Sequence, residues 1–114
     1  MSNKMLFNTD ADCEIQAAIS AEIDTRQRFI IEYTCSYDYD HSRDFQYTAI
    51  VDSTDTAKLA AYYKVKIEDL PALFYDKCGI PYDSSPSVAS SVFKEALQVI
   101  LDTGLHYKMV EDLP

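Results

Sequence analysis

Asp38, Asp40, His41, Ser42 and Asp44 crowd into one short stretch, and few other segments of this chain carry side chains with a comparable capacity for chemistry. Oxygen-bearing residues at alternate positions are the arrangement with which a loop wraps a calcium ion. Arg43 occupies the position where such a loop needs glycine, and Ala49 stands where its bidentate Glu belongs. His41 among three carboxylates also raises a transition-metal site, and with it a small metal-dependent hydrolase built on Asp38, Asp40, His41 and Asp44. A solvated turn rich in Asp and Ser explains the same residues without a metal.

Two other stretches resemble catalytic motifs. Asp102-Thr103-Gly104 resembles the active-site triplet of aspartic proteases. It ends a long helical pattern instead of lying on a loop between strands. With only two glycines in the chain, Gly79 and Gly104, there is also no Gly-rich flap. A helix C-terminus with Gly in the left-handed region accounts for it. Ala49-Ile50-Val51-Asp52-Ser53-Thr54 places an Asp at a strand end, which resembles the haloacid dehalogenases, but Thr54 stands where their second Asp is required. Asp, Ser and Thr capping the next helix explain these residues.

Nucleophilic catalysis needs a Cys or Ser close to a base, and the chain has only His41 and His106. Cys13, Cys35 and Cys78 are odd in number and widely spaced, which argues against a disulfide framework or a zinc ribbon. No cofactor is expected, and the chain reads as non-enzymatic.

The elements that position the Asp38–Asp44 stretch are its flanks. Phe29, Ile31, Tyr33, Cys35, Tyr37 and Tyr39 alternate with polar residues, and Phe45, Tyr47, Ala49 and Val51 continue the alternation after the break. A period of two is the pattern of a half-buried strand. The two runs predict an antiparallel hairpin over about 28–39 and 45–52. Coincident apolar faces require odd residues to pair with odd, and Tyr39 opposite Phe45 closes the loop most tightly. That register sets Tyr37 against Tyr47, Cys35 against Ala49 and Tyr33 against Val51.

Before the hairpin, Ala11, Ile15, Ala18, Ile19 and Ile23 recur at spacings of three and four and predict a helix over Thr9–Ile23. After it come three helices, at about 55–64, 68–78 and 87–103, with Pro71 in a first turn and Gly79 and Gly104 as stops. Lys58–Leu70 has the apolar cadence of a DNA-binding helix-turn-helix, but the second helix would present Glu68, Asp69 and Asp76 to phosphates. Leu105, Tyr107 and Met109 suggest a C-terminal strand over 105–110. The fold class is therefore α+β, one domain over 1–114, with the helices on the Tyr33-bearing face of a small sheet.

The 114 residues carry 19 acidic against 10 basic side chains, a net charge of −9. Direct binding to nucleic acid or to an anionic membrane is disfavoured, since both need clustered Lys and Arg. No apolar run reaches the length of a membrane helix and no secretory signal opens the chain, so a cytoplasmic location is expected. Nine tyrosines and no tryptophan leave one further feature. Tyr37, Asp38, Tyr39, Asp40, Asp44 and Phe45 would form an aromatic and acidic patch at the hairpin tip. Such a patch suits a protein partner with a basic surface, as in small inhibitor or immunity-like modules. A structural subunit of a larger complex, and a homodimer formed by sheet-edge pairing, are the other roles the pattern admits.

Overall fold

The computed structural model describes residues 2–9, 14–37, 39–79 and 87–112. Five strands form one antiparallel sheet in the order β1-β2-β3-β4-β5: β1 Ser2–Asn8, β2 Ile15–Ile23, β3 Phe29–Tyr37, β4 Phe45–Val51 and β5 Lys108–Asp112. Three α-helices, α1 Ser53–Tyr63, α2 Leu70–Cys78 and α3 Ser87–Asp102, follow β4. The α+β class and the packing of helices on the sheet agree with the sequence.

The first element does not. Ile15–Ile23 is a strand, paired with β1 on one side and β3 on the other. Ile15, Ile19 and Ile23 fit a spacing of four and a spacing of two equally well. Ala17 and Ala21 are almost fully buried beside Ile19 and Ile23, while Gln16, Ala18, Ser20 and Glu22 are half-buried on the opposite face. Alanine is too small to mark a face in sequence, so the alternation was hidden. β1 is likewise a strand because β2 offers it an edge. Its ladder is bulged between Met5 and Phe7, which lets both Leu6 and Phe7 turn inward.

The hairpin register also differs. Tyr33 lies opposite Tyr47 and Cys35 opposite Phe45, a slide of four residues from the tightest closure. Odd residues still pair with odd, because only that parity buries Phe29, Ile31, Tyr33 and Cys35 together. An even slide keeps the apolar face intact, so hydrophobicity alone does not select among such registers. The polar face changes with it: Glu32 faces Thr48 and Thr34 faces Gln46. β5 starts three residues later than expected and runs to Asp112, with Leu105 and Tyr107 half-buried in the approach to it.

Each helix is started and stopped by identifiable groups. The Asp52 carboxylate caps α1 by accepting from the Asp55 N–H at 2.8 Å. Lys64 closes α1 in the left-handed conformation at φ 59°. Pro71 lies in the first turn of α2, and Gly104 follows α3 at φ 81°. Leu59 and Ala60 of α1, Leu70 and Phe74 of α2, and Ala89, Val92, Phe93, Ala96 and Ile100 of α3 are buried with the inner faces of the strands. Phe29 and Phe74 meet with ring centroids 4.7 Å apart at the centre of this core. The helices cover β1, β2 and β3, leaving the inner face of β4 and β5 partly open. Among the described residues, no helix is long and apolar enough to cross a membrane.

Candidate functional site: the β3–β4 tip

The connection from β3 to β4 is folded by its own polar side chains. Asp40 precedes a single 3-10 turn, His41–Arg43, and its carboxylate accepts from both the Ser42 N–H and the Ser42 hydroxyl. Those bonds hold the Asp40 carboxyl below the usual range. Asp44 faces back toward β3. It accepts the Tyr37 N–H at 2.7 Å, and contacts His41 Nδ1 at 3.1 Å and the Ser36 hydroxyl at 3.5 Å. Its pKa is also lowered, chiefly by the Tyr37 amide, against a smaller opposing effect of desolvation.

The aromatics divide into two groups. Tyr37 and Tyr39 meet edge to face at 5.9 Å, and the Arg43 guanidinium lies 4.7 Å from the centre of the Tyr37 ring and donates to the Tyr39 hydroxyl at 3.0 Å. Tyr39 is the aromatic left outside, 59% exposed. Phe45 instead belongs to a cluster with Tyr33 at 5.1 Å and Tyr47 at 5.1 Å, and Tyr33 passes the contact on to Phe93 of α3 at 5.2 Å.

Of the six residues assigned to the patch, the structure brings Tyr37, Tyr39, Asp40 and Asp44 together around the turn. It turns Phe45 toward the sheet, and Asp38 lies outside the described residues. Sequence reasoning gave Arg43 no part, yet it binds both tyrosines. The signal available was a lone cation in an acidic stretch flanked by aromatics, the composition in which cation–π contacts form. Among the described residues, no group of three His, Cys, Asp or Glu side chains is arranged to hold a metal ion. A small depression of about 270 Å³ beneath the tip is lined by His41, Asp44, Phe45, Gln46 and Asp112.

Of the two described cysteines, Cys35 lies under the tip, its thiol hydrogen-bonded to the Tyr37 side chain, and Cys78 lies on α2. Cys35 is buried, and desolvation raises its pKa; Cys78, bonded through its thiol to the Phe74 carbonyl, is pushed up to about 11 by burial. Both behave as small apolar core residues. Another concavity, a groove of about 340 Å³, runs between α3 and the uncovered inner face of β4 and β5, walled by Tyr33, Tyr47, Phe93, Leu97 and Met109 with Lys94 and Glu111 on its rim. No protein-family model, curated protein or solved structure matches this chain.

Proposed function

We propose that this chain is a non-enzymatic, cytoplasmic protein-binding module that engages a basic protein surface through the β3–β4 tip. The observation that carries the reading is the exposed Tyr39 ring, presented on a turn whose acidic side chains are already ordered by Ser42, Tyr37 and His41. A rigid exposed tyrosine contributes contact area at small entropic cost, and preordered loops bind with less loss of freedom. The net charge of −9 supplies long-range attraction to a cationic partner and the tip carboxylates supply local direction. Self-association along a sheet edge belongs to the same proposal and does not depend on the tip.

The test is purification of the tagged full chain from its host's lysate at low salt with nuclease present, followed by a salt step. The reading expects a stoichiometric basic protein, released by moderate salt, whose binding is lost in Tyr39→Ala and weakened in Asp40→Asn. A partner retained equally by both variants would remove the tip as the site.

A further inference from the structure

β5 is, with β1, one of the two edge strands of the sheet, and its far edge has no neighbour among the described residues. Exposed edges of this kind are usually guarded by charges that repel another strand. The charges on β5 are arranged differently. Lys108, Val110 and Asp112 share one face of β5, where Lys108 borders a concavity that it lines with Asp52 and Asp55 at the start of α1, and Met109 and Glu111 share the face beside the α3 groove. Neither Lys108 nor Asp112 takes part in an ion pair among the described residues. Val110, between them, is 42% exposed although apolar.

We propose that β5 pairs antiparallel with β5 of a second copy of this chain, about a two-fold axis at Val110. In that register Val110 faces its own counterpart, Lys108 of each copy faces Asp112 of the other, and on the groove side Met109 of each faces Glu111 of the other, so two opposite-charge cross-strand pairs form at once beside two Met–Glu contacts whose carboxylates stay at the open groove rim. Opposed residues in an antiparallel pair lie close enough for such pairs to stabilise the ladder and for like charges to destabilise it. Sliding the register by two residues in either direction sets a charge against Val110 and loses both pairs. Parallel pairing in register sets Lys108 against Lys108. The charge order along β5 thus favours one partner, a second copy, in one register. An isologous contact of this kind closes on itself and merges the two sheets into one of ten strands. It also brings the two Met109-lined grooves side by side across the axis.

The experiment uses the full chain in about 0.15 M salt, which screens the mutual repulsion of two acidic molecules over distances beyond roughly 8 Å. Sedimentation equilibrium is run on the wild type, on Lys108→Glu, on Asp112→Lys, and on an equimolar mixture of the two variants. The wild type is expected to show a monomer–dimer equilibrium. Each variant alone opposes like charges twice and is expected to dimerise at least about tenfold more weakly. The mixture restores both opposite-charge pairs and is expected to form a heterodimer close to wild-type strength. Circular dichroism of each variant shows whether it is folded, and recovery in the mixture excludes misfolding as the cause of weak self-association. A wild type monomeric up to about 1 mM, a dimer indifferent to either substitution, or a mixture no tighter than the separate variants would each overturn the proposal. The dimer rests on the edge self-association proposed above, and none of these outcomes bears on binding at Tyr39, so the edge and the tip fail separately.

Discussion

The buried Thr56 hydroxyl accepts the Phe29 amide proton at 2.9 Å, joining a helix to the start of a strand 27 residues earlier. The same hydroxyl donates to the Val51 carbonyl at 3.0 Å, where β3 and β4 end their ladder. One side chain therefore satisfies two backbone groups that have left the sheet and are out of reach of water.

Thr56→Val keeps the shape of this residue and removes the hydroxyl. Leaving a buried N–H and C=O without partners is expected to destabilise the fold by about 1–3 kcal/mol. Thr56→Ser should retain most of that stability. Urea unfolding of the three proteins checks the order.

The tight turn from β2 to β3 rests on Asp24. Its carboxylate accepts from the Arg26 and Arg28 N–H groups at 2.9 Å each and from Arg28 Nε at 2.7 Å. Desolvation of Asp24 pushes its pKa up, but these bonds together outweigh it and leave the carboxyl below its usual range. Asp24→Ala is expected to cost about 1–2 kcal/mol, the scale of charge-assisted hydrogen bonds at a partly solvated turn. Calorimetric melting points would register this as a lower Tm.

Stability should fall toward both ends of the pH scale. At the acid end, Asp24, Asp40 and Asp44 have lowered pKa values. Their contribution is full above the unfolded carboxylate pKa and disappears as pH falls through the folded one. At the alkaline end, burial raises Tyr33 to about 12 and Cys78 to about 11. The unfolded chain releases those protons first, so stability declines as pH rises through the ordinary thiol and tyrosine values toward the folded ones. Tm measured across pH, with tyrosinate absorbance alongside, would show a plateau between the two limbs.

Lys64 closes α1 in the left-handed conformation, which side chains other than glycine adopt at a cost. Lys64→Gly is expected to stabilise the protein by about 0.5–1 kcal/mol. Equilibrium denaturation would give the sign directly.

Thiol chemistry offers an independent check on the core. Cys35 and Cys78 peptides should stay unlabelled by an alkylating reagent in the folded protein and react on unfolding, as buried thiols with raised pKa values do. Mass spectrometry of peptide digests resolves each site. Rapid labelling of Cys78 under native conditions would contradict its burial.

Strong local signals were legible in the sequence. The alternation from Phe29 to Tyr37 and from Phe45 to Val51, the Asp52 cap, Pro71 in a first turn and Gly104 after α3 each declare themselves within a few residues. What was hidden depends on partners distant in the chain. Ile15–Ile23 becomes a strand because β1 and β3 flank it, and its alanines leave the period ambiguous. The β3–β4 register is compatible with any even slide. The structure sets it where Asp44 reaches the Tyr37 amide and Tyr33 reaches Phe93. At the tip, composition identified Tyr39 and Asp40 as surface residues, but it did not show that Asp44 is spent on the backbone or that Arg43 lies over Tyr37.

The strictly sequential strand order has a consequence for how the molecule is made. Because every strand pairs with the one before it in the chain, the sheet can be assembled hairpin by hairpin during synthesis, with no strand waiting for an insertion between two others. β5 joins only after the three helices have passed and can already lie on the growing sheet. Until then β4 is the open edge, and Lys108, Val110 and Asp112 take their place at the edge only after the residues of all three helices have been made.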